Sequence, residues 1–237
     1  MGSPMTDTIV LEMRGICKAF DGHPALDYVN FHLNGGEIHA LLGENGAGKT
    51  TLMNVLYGLY RADAGEIILR GRKIEMRSPK DAIRHHIGMV HQHFLQIESF
   101  SVAENIVLGT PIKNMLRLDL KEAAARIVAL GEKFGLGIDP AARIEDLAMG
   151  ARQRVEILKA LYRGAQILVL DEPTTNLTPQ EVDTLFHTVQ VMVREGMSVV
   201  FITHKLKEVL AVCDRISVLL DGFLPSANVA QNLILGS

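Results

Sequence analysis

Three features of the 237-residue sequence predict an α/β fold built on a mostly parallel central sheet. The apolar runs Ile38 to Leu42, Ile167 to Leu170 and Val199 to Ile202 are continuous rather than alternating, as expected for strands buried on both faces. Between the last two, Val182, Leu185, Val189 and Val193 recur at helical spacing behind Thr178-Pro179, a cap with proline at the first helical position. After the first run comes a glycine-rich turn, then Leu52, Val55 and Leu56 at helical spacing, which gives strand, loop and helix in sequence.

The remaining elements follow in chain order. Gly2-Ser3-Pro4 ahead of Met5 reads as a cloning scar, so residues 1–4 are set aside and one domain is placed at 5–225. From Ile9 to Leu33, short β-prone runs alternate with turn residues such as Asp21-Gly22-His23-Pro24, which predicts an N-terminal antiparallel β subdomain. Roughly 94–165 carries helical periodicity, at Ala123 to Phe134 and Arg152 to Tyr162, and no convincing strand. That stretch is read as an α-helical subdomain inserted into the sheet. Ile216 to Leu220 followed by Asp221-Gly222 looks like a strand entering a hairpin whose return Pro225 interrupts. Residues 226–237 hold no charge, and this tail has no assigned role.

Composition narrows the function. A formal net charge of -3 offers no basic field for a phosphate backbone, so nucleic acid is not an expected partner. Cys17 and Cys213 form no C-x-x-C pair, which argues against a disulfide framework or a zinc site and suits a reducing cytoplasm. Charged residues interrupt every apolar stretch before the roughly 18 residues a membrane span needs. If the protein works at a membrane, other subunits cross it.

The chemistry sits in the glycine-rich turn. Gly43-Glu44-Asn45-Gly46-Ala47-Gly48-Lys49-Thr50 satisfies G-x-x-x-x-G-K-[ST] between a predicted strand and a predicted helix, which places the fold in the P-loop NTPase class. The glycines let backbone N–H groups turn toward phosphate oxygens, and the helix adds its positive end. Gly43, Asn45, Gly46, Ala47, Gly48, Lys49, Thr50 and Thr51 are the candidate phosphate contacts, Lys49 as a point charge for the β- and γ-phosphates and Thr50 as a ligand for Mg²⁺. Asp171-Glu172 closes the apolar run from Ile167, and ligands of open α/β sheets bind outside the carboxyl ends of the strands. Asp171 is therefore expected to hold Mg²⁺ and Glu172 to accept a proton from the attacking water. His204, after the run Ser198 to Thr203, is placed to hydrogen-bond the γ-phosphate and that water.

In this order and spacing the motifs resemble the nucleotide-binding subunits of ABC transporters, over about Ile9 to Leu220. Gly43 to Thr50 looks like Walker A, Ile167 to Glu172 like Walker B, Gln92 like the Q-loop glutamine and His204 like the switch histidine. Phe20 takes the place of the aromatic residue that stacks on adenine. The resemblance implies ATP and Mg²⁺ as cofactors, with Gln92 near the metal and the attacking water. It also implies a head-to-tail pair of such domains with two ATP molecules between them, each meeting the signature motif of the other domain. The implied partners are transmembrane permease subunits, which Gln92 and the segment after it would contact, and, indirectly, an extracytoplasmic solute-binding protein. That places the chain on the cytoplasmic face of the inner membrane. Met89-Val90-His91-Gln92-His93-Phe94, Glu156 to Gly164 and Leu177-Thr178-Pro179-Gln180-Glu181 look like importers of simple sugars and nucleosides, and the His-Gln-His-Phe form leans toward nucleosides. In that group two such domains commonly run in tandem, so the resemblance is to the N-terminal half, ending near the domain junction.

Departures from the pattern are specific. The signature, usually Leu-Ser-Gly-Gly-Gln, reads Leu147-Ala148-Met149-Gly150-Ala151; Gly150 survives, with a helix N-terminus behind it to meet the γ-phosphate on a partner, and the serine hydroxyl does not. The position usually held by aspartate in the D-loop is Thr178. The lost hydroxyl implies two unequal ATP sites, and Thr178 bears on signalling across the pair. The alternatives are a soluble, non-transport ABC ATPase, for which basic linkers or a long coiled-coil insertion are expected and absent, and a separate P-loop nucleotide-binding module. His85, His86, His91 and His93 admit a metal site, which the Q-loop resemblance makes unnecessary.

Overall fold

Two extended strands, β1 (Ile9–Phe20) and β2 (His23–Asn34), open the chain as an antiparallel hairpin. Its turn is only Asp21-Gly22, with φ of 48° and 81°; positive φ at both central residues is the requirement of the type I′ turn that matches strand twist. His23 and Pro24, expected in the turn, belong to β2 instead. That is possible because β2 is an edge strand, where a missing N–H interrupts no second ladder. The computed structural model describes residues 8–110 and 119–224, so the start and end of the expected domain, the scar and the tail lie outside the described residues.

There follow β3 (Ile38–Leu42), α1 (Lys49–Leu56), β4 (Ala64–Leu69), β5 (Arg72–Ile74), α2 (Pro79–Arg84) and β6 (Ile87–Val90). Three helices come next, α3 (Val102–Val107), α4 (Leu120–Phe134) and α5 (Met149–Tyr162), with no strand between β6 and β7 (Ile167–Asp171) among the described residues. The chain closes with α6 (Pro179–Arg194), β8 (Ser198–Thr203), α7 (Leu206–Val212) and β9 (Arg215–Val218).

Two sheets result: an antiparallel one in the order β2-β1-β4-β5 and a parallel one in the order β6-β7-β8-β3-β9. The side-chain alternation of a strand divides the core between them. Val169, Val200 and Ile202 face a cluster with Leu11, Phe31, Leu52 and Met53 beneath the antiparallel sheet and α1. Leu168, Leu170, Val199 and Phe201 face the other way, into a cluster with Ile106, Val155, Leu158 and Val189 from the helices. The run Ile216 to Leu220 is a strand entering a hairpin, as expected: β9 pairs parallel to β3, and the hairpin beyond it is a single bridge, Leu220 with Phe223, across Asp221-Gly222.

The caps obey local chemistry. Thr178 accepts from the Glu181 N–H while the Glu181 carboxylate returns to Thr178, a capping box ahead of Pro179. Ser101 and Glu104 do the same for α3. Because the parallel strands all run one way, the loops after β3, β6, β7 and β8 share one edge of the sheet, and every catalytic candidate lies in those loops.

Candidate functional site at the carboxyl edge of the parallel sheet

The loop after β3 requires glycine at Gly48 twice over. Its φ is 98°, and a β-carbon there would lie 2.6 Å from the Ala25 carbonyl oxygen of β2. Gly48 is also the N-cap residue of α1, so the loop delivers Lys49 and Thr50 into the first helical turn. Lys49 is 5% exposed, and its Nζ donates to the carbonyl oxygens of Gly43 and Glu44, each at 2.8 Å. Burial pushes its pKa down, against the charges of Glu172 and Asp171, which favour the ammonium. Thr51 stands half-buried on α1; Asn45 and Gly46 are exposed at the loop's tip, and Ala47 is buried, its carbonyl taking the Gly222 N–H at 3.0 Å.

β7 brings the first acid to this loop: Thr50 Oγ1 donates to Asp171 Oδ1 at 3.3 Å. Asp171 is 2% exposed, and burial raises its pKa, with the neighbouring Glu172 charge adding and the Thr50 hydrogen bond and Lys49 charge opposing. A hydroxyl and a buried carboxylate side by side are hard oxygen donors, few in number, which suits an Mg²⁺ ion that keeps waters and substrate phosphates in its remaining positions. Glu172 follows with φ of 46°, a left-handed backbone that costs a non-glycine residue roughly 1–3 kcal/mol and persists only when its surroundings enforce it. They do so here. The Glu172 N–H donates to the Ile202 carbonyl at 3.0 Å, and buried Gln153 of α5 donates from Nε2 to the next carbonyl, Pro173, at 2.6 Å.

The Glu172 carboxylate gathers the other candidates. His204 Nδ1 lies 3.0 Å from Oε1, and Gln92 Nε2 donates to Oε2 at 3.4 Å. Gln92, Asp171 and Glu172 line one small cavity with Met149 and Asn176. Phe20 stands apart at the end of the N-terminal hairpin, exposed, its ring edge-on to Tyr60 at 5.1 Å between centroids and 5.4 Å from Lys18 Nζ. Asp63 fixes that end of β1 by accepting from Lys18 Nζ at 2.8 Å and from the Ala19 N–H at 2.7 Å.

Gly150 is not gathered into this cluster. It is the second residue of α5 and not ahead of the helix as expected, and a β-carbon on it would sit 2.2 Å from Glu181 Oε1. The same carboxylate accepts through Oε2 from the Thr178 N–H, so Glu181 joins the starts of α5 and α6. Of the four histidines, His86 places Nδ1 2.9 Å from the Gly164 carbonyl, and His91 packs edge-on to Tyr57. The sequence names Glu181 only within Leu177 to Glu181, without the role in holding α5 that it has here, and does not mark Gln153, Tyr60 or Asp63. Two signals were available: the Thr178-x-x-Glu181 spacing of a capping box, and a glutamine, Gln153, on the apolar face of an otherwise periodic helix.

Comparison with known proteins identifies the family and the fold. The family model described as ABC transporter matches residues 26–175, more than half of the chain. The chain belongs to the ABC transporter family. Among ABC relatives, the nucleoside import ATP-binding protein NupA of Lactococcus lactis subsp. cremoris is 49% identical over 92% of this chain and 43% of its own length. The ribose import ATP-binding protein RbsA of Chromobacterium violaceum is 48% identical over 92% of this chain and 44% of its own length. The chain thus spans less than half the length of these relatives. A nucleotide-free ATP-binding cassette from an ABC transporter superposes with a TM-score of 0.82 at 25% identity, over 92% of this chain and 90% of that one. The P-loop NTPase fold of the ABC cassettes, with its parallel sheet and antiparallel β subdomain, is therefore the fold of this chain. No helix among the described residues is long and apolar enough to cross a membrane.

Proposed function

We propose that this chain is an ATP-hydrolysing domain of an importer for a small solute, one of two such domains acting head to tail. The supporting observation is the meeting of Asp171, Glu172, Gln92 and His204, from the ends of three separate strands, with Thr50 beside Lys49. In this reading the loop amides and Lys49 hold the β- and γ-phosphates and the adenine stacks on Phe20. Thr50, Asp171 and Gln92 would hold Mg²⁺, which when bound would neutralise charge on the phosphate oxygens. Water, oriented by His204, attacks the γ-phosphorus as the bond to the β–γ bridging oxygen breaks. Glu172 takes the proton that this water releases, and the products are ADP and inorganic phosphate.

Gly150 and the start of α5 would face the nucleotide of a partner domain. Ala148 supplies no hydroxyl there, and a hydrogen bond to a charged group is worth about 1.5–3 kcal/mol, so the partner's site is the weaker by roughly ten- to a hundredfold. Permease subunits would hold the pair at the cytoplasmic face of the membrane. The nucleoside relative and the His-Gln-His-Phe segment favour a nucleoside as cargo. The ribose relative supports a simple sugar as the second reading.

Calorimetric titration with Mg·ATP, followed by a phosphate-release assay, tests the ATPase. Glu172→Gln should keep binding and lose turnover by about 100-fold or more. A folded wild-type chain that does not bind Mg·ATP refutes the reading. With its permease and solute-binding partners in liposomes, stimulation of turnover by a nucleoside and not by a pentose decides the cargo, and the reverse result favours the sugar.

A further inference from the structure

The two reacting groups closest to each other, Glu172 and His204, sit on different loops, and the distance between them depends on how those loops are tied. One carboxylate ties both. Glu208, in the first turn of α7, accepts from Thr174 Oγ1 at Oε1, 2.7 Å away, and from Thr203 Oγ1 at Oε2, 3.0 Å away. Thr174 lies two residues after Glu172, and Thr203 immediately precedes His204. Both threonines are buried, at 3% and 1% exposure. Lys205 completes the knot: its N–H donates to Thr203 Oγ1 at 3.1 Å, while its Nζ donates to Thr174 Oγ1 at 3.2 Å and pairs with Glu208 Oε1 at 3.0 Å.

Threonine hydroxyls at these two places have little freedom to choose other partners, because both are buried beside strand ends whose backbone groups are already paired. A carboxylate has two acceptor oxygens and can serve one hydroxyl with each. The arrangement fixes the left-handed Glu172 turn relative to the His204 turn without touching either reacting side chain.

We infer that Glu208 is a positioning residue that sets the Glu172–His204 distance, and so the placement of the attacking water, by clamping Thr174 and Thr203 together. This rests on the nucleotide-hydrolysis reading of the site. It separates Glu208 from the phosphate loop: binding of Mg·ATP belongs to the Lys49 loop and Asp171, whereas the clamp acts only on the step in which water is oriented.

The test compares wild type, Glu208→Ala and Glu208→Gln by Mg·ATP titration, steady-state turnover and amide hydrogen exchange. Glu208→Ala should leave the Mg·ATP Kd and KM unchanged and lower kcat by about 10- to 100-fold, the scale of misplacing reacting groups by an ångström. Glu208→Gln keeps one acceptor and gains a donor that a rotated threonine hydroxyl can accept, so kcat should return to within about threefold of wild type. In Glu208→Ala the amides of Thr174 to Leu177 and of His204 and Lys205 should exchange faster together, with β7 and β8 unchanged. Equal losses of affinity and kcat in Glu208→Ala, unchanged kcat, or Gln failing as badly as Ala would each overturn the clamp. Wild type that binds no Mg·ATP sinks the nucleotide reading instead, and the exchange data still decide the clamp, which is wrong if the two loops do not loosen together.

Discussion

Replacing Gly150 by alanine places a methyl carbon 2.2 Å from Glu181 Oε1, 2.7 Å from its Cδ and 3.2 Å from its Cγ. Three neighbours on one side chain leave that side chain a single response, which is to leave. Departure strips the Thr178 N–H and hydroxyl of the oxygen that now accepts from them at 2.9 and 3.0 Å, and so opens the cap of α6. Overpacking a filled site costs about 1–3 kcal/mol. Against this, alanine in a helix gains up to about 1 kcal/mol over glycine. The net loss should be up to about 2 kcal/mol, or a fall of up to roughly 8 °C in Tm for a chain of this length. The chain has no Trp, so urea and thermal unfolding are best followed by far-UV circular dichroism. The decisive comparison is the Glu181→Ala background, where the obstruction is gone and Gly150→Ala should become stabilising through helix propensity alone. Destabilisation of the same size in both backgrounds would refute the steric account of why this position is glycine.

Three further outcomes follow from the site and the core. Lys49→Ala loses the exchange of two carbonyl acceptors for anionic ones, about 1–1.5 kcal/mol each, and should weaken Mg·ATP by roughly 10- to 100-fold in titration, with the circular dichroism spectrum unchanged; undiminished affinity would remove Lys49 from the phosphate site. Asp171→Asn should raise the unfolding midpoint at neutral pH without Mg²⁺ and abolish the Mg²⁺ dependence of nucleotide binding. The sign follows from its raised pKa: above the ordinary value of 3.8 the folded state holds an unfavourably buried charge, and the amide carries none. A lower midpoint would contradict that. Burial pushes Glu37 up, but hydrogen bonds from His39 and the Asn34 N–H, with the His39 and Arg215 charges, outweigh it and hold its carboxyl below the ordinary 4.5. A lowered pKa stabilises the fold above 4.5, and that contribution is lost as pH falls through the folded value. Urea stability measured from about pH 6 to 3 should therefore fall less steeply in Glu37→Gln than in wild type; parallel curves would exclude Glu37 as the source.

What could be read from the sequence was whatever is written within a dozen residues. Ile38 to Leu42 and Ile167 to Leu170 announce themselves because a strand buried on both faces has no polar alternation, and the phosphate loop because its geometry is entirely local. Ile87 to Val90 escaped because Gly88 interrupts the run. That glycine has a tertiary reason, since a β-carbon on it would lie 2.9 Å from Ala160 Cβ of α5. The hairpin of β4 and β5 was equally hidden: its turn, Arg70-Gly71, has positive φ at both residues but lacks an Asn or Asp to signal it. Helices α2, α3 and α7 span under two turns each, too short for periodicity to show. The supporting network of the site was beyond reach for a different reason. Thr174 and Glu208, 34 residues apart, meet only through the β7–β8 pairing, and Gln153 and Pro173, 20 apart, only through the packing of α5 on β7.

Lys49 holds the carbonyls of Gly43 and Glu44 with its own ammonium, so the phosphate loop owes its shape to an internal cation. In the proposed nucleotide site an arriving triphosphate would trade acceptors at Lys49, anionic oxygens for neutral ones. The gain is the difference between a charged and an uncharged acceptor, not the whole strength of a new bond. On that proposal, discrimination at this lysine would respond to how much negative charge the terminal group carries, setting a nucleoside triphosphate above neutral molecules of the same shape.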